Sequence, residues 1–297
     1  MIMKSKAVLT NPDKIYWPGE GITKGDLFNY YEKIAPVILP YLKNRPLSLK
    51  RNPDGIRNSG FYQKNAENIA PDWMKTIPVY VPSTGKTIQY IICNDKSSLL
   101  FVVNLGCIEI NPWNSALPDL DKPDYLVMDI DPSEKNSFRD VIEVTLALKE
   151  VMDEWELNGY CKTSGASGMH IYLPCRKKYT YEQVRNFAKV IALQVNQKLP
   201  GLTTIERSLS KRKKNQVYLD YLQNSKGQTL ASAYSVRPRV GATVSTPLEW
   251  KEVKPGLDPS SFSIKTIYKR ITRKGDLFAG VKGKAIDIPK AMRLSGG

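Results

Sequence analysis

The sequence predicts an α+β fold in two layers, with a central mixed or antiparallel β-sheet flanked by helices around a cleft. Three observations carry that expectation. Apolar runs of strand length are interspersed with amphipathic stretches of helical period, without the regular beat of a doubly wound parallel sheet. Helix-start and helix-stop residues frame the amphipathic stretches. The 297 residues, 41% hydrophobic and 25% charged, are enough for a sizeable core in one large domain or two intimate halves. We read residues 1–285 as one domain, with an amino-terminal part over about 1–60, a core over about 61–250, a helical extension over about 255–285, and a loose tail at 286–297.

Thr23 opens the first helix, its hydroxyl placed to cap the turn that carries Asp26; Leu27, Tyr30, Tyr31 and Ile34 then recur at helical spacing until Pro36. Asn94 is the expected cap of a second, short apolar helix ending near Gly106. An alternating strand follows over 107–111, then a Pro-Trp turn at Pro112 and Trp113. The run 125–130 (Y-L-V-M-D-I) reads as a buried strand. The next helix, over 138–155, has Val141, Ile142, Thr145, Leu148, Met152 and Trp155 on one face. A strand at 169–173 precedes a helix with a capping box at Thr180 and Gln183, an apolar face of Val184, Phe187, Ala188, Ile191, Val195 and Leu199, and a stop at Pro200 and Gly201. Residues 216–222 alternate as a strand, and a capped helix is expected around 262–271.

Forty-four basic against twenty-nine acidic side chains give a net charge of +15, and attraction to a polyphosphate is the commonest use of such an excess. The four cysteines stand apart without a C-x-x-C pair, and the chain has a single histidine. Zinc fingers, knuckles and ribbons are thereby excluded, and buried reduced thiols are expected. Apolar runs stay far short of a membrane span, and Met1 to Val8 lacks the apolar centre of a secretory signal. A cytoplasmic protein with no membrane partner is expected.

The sharpest local signal is V-M-D-I-D-P at 127–132. Strand alternation puts Asp129 and Asp131 on one face, about 6 to 7 Å apart. Two carboxylates there repel unless a cation sits between them, and hard Mg²⁺ or Mn²⁺ is the natural occupant; the alternative is a solvated strand end. Asp220, in V-Y-L-D-Y-L-Q-N, is a third acid in an apolar run where an unpaired charge costs several kcal/mol. Three carboxylates suit a two-metal phosphoryl-transfer site, with Asp129 and Asp131 bridging; alternatively Asp220 is a structural acid paired with Arg237 or Lys213. The stretch T-S-G-A-S-G-M-H-I-Y at 163–172 offers backbone amides and the hydroxyls of Ser164 and Ser167 to phosphate oxygens, or is simply a turn. His170, just inside the following strand, is a donor to a triphosphate or sugar, or a satisfied core residue.

In order along the chain stand N-P-D-K-I-Y-W-P, R-P-L-S-L-K-R, G-F-Y-Q-K-N, E-I-N-P-W-N-S, D-I-D-P, T-S-G-A-S-G-M-H-I-Y, L-D-Y-L-Q-N and Y-S-V-R-P-R. Together they resemble the polymerase domain of bacterial ligase D, a branch of the archaeo-eukaryotic primase superfamily that works in non-homologous end joining, and its stand-alone relatives. The resemblance covers about residues 7–250, and no ligase or phosphoesterase motif accompanies it. It implies a primase-polymerase fold and a template-directed nucleotidyltransferase extending 3′-hydroxyls at DNA ends and short gaps, with ribonucleotides preferred and two Mn²⁺ or Mg²⁺ ions. Asp129, Asp131 and Asp220 would be catalytic metal ligands. Lys50, Ser164, Gln223 and Arg237 match positions around the incoming nucleotide; Gly165, Ser167 and His170 join them from the reading of the loop and strand, and the basic run 211–214 is either a solvated loop or brings Arg212 or Lys213 to the triphosphate. Lys14 and Lys24 match lysines for the downstream 5′-phosphate, which would make 1–60 the 5′-phosphate-binding part, and Lys24 at a helix start suits an anion. Read without the resemblance, both are solvated surface lysines. Phe61 and Tyr62 match a pair that stacks on the template; by themselves they read as core or turn aromatics.

Two departures stand out. Asn111 replaces the usual His of the E-x-H-P-W segment and remains an active-site candidate, able to hydrogen bond but not to carry a proton. Ser167 replaces a Lys that many relatives carry, removing a cation from the triphosphate site. The implied partners are DNA ends, a gapped duplex with a 5′-phosphate, NTPs and dNTPs, and also Ku, an ATP-dependent DNA ligase and a second copy of the chain, with the protein at the nucleoid when DNA-bound. A replicative primase is the alternative enzyme, disfavoured by the lack of a Cys/His zinc element. A non-catalytic end-bridging protein is the third reading, disfavoured by three acids on a DNA-facing site.

Overall fold

The computed structural model describes residues 7–82 and 84–296, so most of the stretch read for a secretory signal lies outside it. The chain divides into two compact units: one runs to Pro118 and adds Thr229–Ser245 and Ser260–Gly275, the other comprises Asp119–Gln228, Thr246–Pro259 and the residues from Asp276 onward.

The first unit opens with an antiparallel pair, β1 (Ile15–Trp17) and β2 (Ile22–Thr23), and the helix α1 (Lys24–Leu42). Thr23 caps α1 as expected: its Oγ1 accepts from the Asp26 amide at 3.1 Å, and the Asp26 carboxylate accepts from the Thr23 amide at 2.9 Å. Pro36 does not end the helix, which continues through Pro36 and Pro40. Both prolines lie on its exposed side, where the carbonyls they leave unpaired can meet water, while Ala35, Ile38, Tyr41 and Leu42 extend the buried stripe. Strands β3 (Leu47–Arg51) and β4 (Phe61–Gln63) follow, then the hairpin β5 (Thr76–Val81) and β6 (Lys86–Ile91), helix α2 (Lys96–Asn104) and strand β7 (Cys107–Pro112). β3 lies between β4 and β7, antiparallel to both. Asp95, not Asn94, caps α2, accepting from the Ser98 amide at 2.8 Å. Asn94 instead bonds Asn44 twice, at 2.7 and 2.9 Å.

The second unit holds a mixed five-stranded sheet. Its elements in chain order are β8 (Tyr125–Asp131), α3 (Phe138–Glu154), β9 (Tyr160–Thr163), β10 (Met169–Pro174), α4 (Tyr181–Lys198), β11 (Thr203–Thr204) and β12 (Val217–Asp220). The spatial order is β11-β12-β8-β10-β9, with only β11 and β12 parallel. α3 and α4 pack on β8 and on each other and bury the apolar faces read from the sequence, except that Trp155 and Leu199 stand at the caps. The strand expected over 216–222 stops at Asp220, because its carboxylate accepts from the Leu222 amide at 2.9 Å and turns the chain into a 3₁₀ turn, Tyr221–Asn224. Asn224 in that turn clamps β8, donating to the Val127 carbonyl at 2.7 Å and accepting from its amide at 2.8 Å.

Helix α5 (Ile267–Lys274) starts later than expected and has no side-chain cap; it belongs to the first unit. The segment expected as a loose tail contains helix α6 (Ile288–Leu294), whose cap Asp287 accepts from the Lys290 amide at 3.1 Å and whose Ala291 is buried. All four cysteines are buried and outside any disulfide; burial pushes the Cys175 thiol up to about 12, keeping it protonated and unreactive. Among the described residues no helix is long and apolar enough to cross a membrane.

Tyr31 ties the first unit together. Its buried hydroxyl donates to the Ile108 carbonyl at 2.7 Å and accepts from the Val236 amide at 3.0 Å. Tyr31→Phe leaves both backbone groups without that partner, and a loss of about 1 to 3 kcal/mol is expected, read as a lower denaturant midpoint at unchanged slope.

Candidate active site

Residues directly opposed on neighbouring strands share a face, and the sheet of the second unit uses this to gather charge. Asp129 on β8 is opposite Asp220 on β12 and His170 on β10, and His170 is opposite Lys162 on β9. One row across four strands therefore reads Lys162, His170, Asp129, Asp220. Asp131, two residues beyond Asp129, lies on the same face and is opposite Tyr218. Asp129 is 3% exposed, Asp131 is exposed and Asp220 is intermediate.

The environment of each acid differs. His170 Nε2 stands 3.3 Å from Asp129 Oδ1. Asp220 accepts from the Tyr218 hydroxyl at 3.1 Å and from Gln223 Nε2 at 3.2 Å, besides the Leu222 amide. Burial, then the Asp220 charge, raises the Tyr218 phenol, so it stays a donor to that carboxylate. Of the two cations considered for Asp220, Arg237, in the first unit, pairs with Glu109, its Nε 2.8 Å from that carboxylate, and Lys213 is an exposed side chain that lines, with Asp131, a cavity of about 490 Å³. Arg212 lines the same cavity, its guanidinium 3.5 Å from the Tyr218 ring centroid. Among the described residues no three His, Cys, Asp or Glu side chains are gathered into a ready-made metal nest. The donor chemistry nevertheless suits a hard divalent cation, because the register puts three carboxylates on one face with Asp131 open to solvent.

The loop 164–168 closes on itself. Ser164 Oγ accepts from the Ala166 and Gly168 amides at 3.0 Å each, and the Ser164 amide donates to the Gly168 carbonyl at 2.9 Å. Three amides expected to face phosphate are therefore used inside the loop. Gly165 takes φ +72°, and a Cβ on Gly168 would fall 2.2 Å from the Ile130 carbonyl oxygen, so the loop packs against β8 only with glycine there. Ser167 is exposed at the tip.

The other candidates belong to the first unit. Lys50 on β3 is opposite both Tyr62 on β4 and Glu109 on β7; its Nζ donates to the Gly60 carbonyl at 2.9 Å and lies 4.7 Å from the Tyr62 ring centroid. Asn111 is buried, and its Nδ2 donates to the Ser48 carbonyl at 3.2 Å. Phe61 and Tyr62 are 47% and 59% exposed, so they are not core aromatics. Lys14 Nζ contacts Asp54 at 2.5 Å. Lys24 is buried rather than solvated, its Nζ donating to Thr10 Oγ1 at 3.1 Å, and burial followed by the Lys14 charge lowers its pKa. The helix-start amides beside it are already used: Lys24 donates to the Lys14 carbonyl and Gly25 to the Pro12 carbonyl, each at 2.8 Å, and Asp26 to Thr23. An anion there would meet the lysine ammonium groups instead of backbone donors.

Among the buried charges that the sequence reading passed over are Lys162 and Glu109. Their one signal was a charge inside an apolar, strand-length run, in G-Y-C-K-T and C-I-E-I-N.

The family profile described as LigD, primase-polymerase domain, matches residues 23–278. The bifunctional non-homologous end joining protein LigD of Bacillus subtilis is 34% identical over 91% of this chain and 43% of its own length. The multifunctional LigD of Mycolicibacterium smegmatis is 31% identical over 97% of this chain and 37% of its own length. The chain thus spans about two fifths of these curated relatives. Among solved structures, the polymerase domain of Mycobacterium tuberculosis ligase D in complex with DNA superposes with a TM-score of 0.86 at 30% identity, covering 95% of this chain and all of that one. With a profile match across most of its length, this chain belongs to the LigD primase-polymerase domain family.

Proposed function

We propose that this chain is a template-directed nucleotidyltransferase that adds nucleotides, with ribonucleotides preferred, to 3′-hydroxyls at DNA ends and short gaps in non-homologous end joining. The observation that carries the reading is the set of three carboxylates on one sheet face, Asp129, Asp131 and Asp220, brought there by strand register in a chain of this family. The DNA complex of the M. tuberculosis domain and the net charge of +15 support a DNA partner.

Asp129 and Asp131 are the carboxylates that would hold two Mn²⁺ or Mg²⁺ ions, with Asp220 on one of them. Such ions, when bound, activate a 3′-hydroxyl and neutralise charge on a triphosphate. The residues of the chain orient the rest. Gln223 and Tyr218 fix the Asp220 carboxylate. Ser164 holds its loop closed, and the exposed Ser167 hydroxyl and the Lys213 ammonium are donors for phosphate oxygens. In the first unit, Lys50 and Arg237 are the assigned triphosphate cations, and Phe61 and Tyr62 are exposed aromatic faces on which template bases would stack.

Primer extension tests the assignment. Asp131→Ala removes an exposed charge and no buried packing, so the protein should fold and bind a gapped duplex as well as or better than wild type, yet incorporate nothing. Extension at a wild-type rate by folded Asp131→Ala would defeat the metal-ligand assignment.

Lys14 and Lys24 form a cationic pair suited to the downstream 5′-phosphate. Replacing either by Ala should weaken binding of a 5′-phosphorylated gap by about 1 to 3 kcal/mol, as for a charge-assisted contact, while a 5′-hydroxyl gap is bound almost as before. Because the Lys24 pKa is lowered, the preference for the phosphorylated gap should fade on the alkaline side, below the ordinary lysine range. Equal losses on the two duplexes in a titration would reduce both residues to general electrostatics.

A further inference from the structure

Lys162 is a buried cation with no part in the nucleotide chemistry described above. It sits in β9 with 0% of its surface exposed, opposite His170 in the sheet. Its Nζ is 2.7 Å from His170 Nδ1, and the Tyr172 ring centroid lies 5.6 Å from the same ammonium. His170 is itself 2% exposed, and its other nitrogen, Nε2, faces Asp129 Oδ1 at 3.3 Å. A lysine ammonium can only donate. A hydrogen bond from Nζ to Nδ1 therefore requires Nδ1 to accept, and the single ring hydrogen of a neutral imidazole must then sit on Nε2. That hydrogen lies toward the Asp129 carboxylate, where its positive end is favoured. The opposite tautomer would set an Nδ1–H against the ammonium hydrogens and turn the Nε2 lone pair onto a carboxylate. Both contacts are repulsive, and both would lie in a region of low dielectric where repulsion is strong.

We propose that Lys162 is a positioning residue that locks His170 in its Nε2–H tautomer. His170 then presents to Asp129 a donor and not a lone pair able to bind a metal, and the orientation of one carboxylate oxygen is set before any substrate arrives. The tautomer follows from the geometry with Lys162 as an ammonium; its consequence for extension rests on the polymerase reading. Surrounding groups that orient a metal ligand in this way commonly alter activity about 10- to 100-fold when removed.

The chain has one histidine, so a nitrogen-15 spectrum of histidine-labelled protein reports this ring alone. At neutral pH the wild-type protein should show a protonated, pyrrole-like Nε2 and an accepting, pyridine-like Nδ1. Lys162→Met, which keeps length but removes the donor, should give a mixture of tautomers, whereas Lys162→Arg, which like lysine can only donate, should keep Nε2 protonated. Extension by Lys162→Met should fall about 10- to 100-fold in kcat at unchanged affinity for gapped DNA. A wild-type ring protonated at Nδ1, alone or together with Nε2, would overturn the lock, and so would an unaltered spectrum in folded Lys162→Met. Should wild-type protein extend no primer, the polymerase reading would fail, and the spectra would still decide the lock.

Discussion

The antiparallel pairing of β8 between β10 and β12 decides which side chains of the second unit can do chemistry. Side chains alternate along a strand, so a slip of one residue would carry Asp129 and Asp131 to the face where Met128 and Ile130 are now buried. Such a slip would place two carboxylates in an apolar core, a change far more costly than any single contact is worth. Two further devices pin the same register. Asn224 bonds both backbone groups of Val127, and Gly168 lets the neighbouring chain approach the Ile130 carbonyl more closely than any side chain would allow.

From that register follows a gradient of charge across the sheet. Lys162 lies at one end, His170 next, and the acids beyond it. Burial is graded as well, since Asp129 is enclosed while Asp131 is open. An enclosed carboxylate held by its neighbours and an open one beside it suit a site that is shaped in advance and then receives a charged ligand. The first unit repeats the device on a smaller scale, where Tyr62, Lys50 and Glu109 form a row across β4, β3 and β7. Glu109 holds Arg237, which keeps a planar cation in a fixed place.

Local signals were the legible ones. The boxes Thr23 with Asp26 and Thr180 with Gln183 form where they were read, because a cap needs only residues three apart. Asn94 was misread as a cap because its actual partner, Asn44, is fifty residues away along the chain. Pro36 was misread as a stop because the apolar stripe of α1 continues beyond it and outweighs one lost backbone bond. The carboxylates could be named from the D-x-D alternation and the apolar context of Asp220, but what lies beside each one is a property of register. Lys162 and Glu109 stayed hidden for that reason: a charge in a strand has meaning only when the residue across from it is known. The same holds for the Ser164 loop, whose glycines and serines were visible while the internal use of its amides was not.

The central claim is templated nucleotide addition dependent on a divalent ion. It is tested most directly by single-nucleotide incorporation on a gapped duplex, with the template base varied and each of the four NTPs and dNTPs offered in turn, in Mn²⁺, in Mg²⁺ and in chelator. The account predicts that the added nucleotide follows the template base, that a ribonucleotide is used in preference to its deoxy counterpart, and that chelator abolishes addition. Addition that persists in chelator, or a protein that binds the gap but extends it with none of the eight nucleotides, would contradict it.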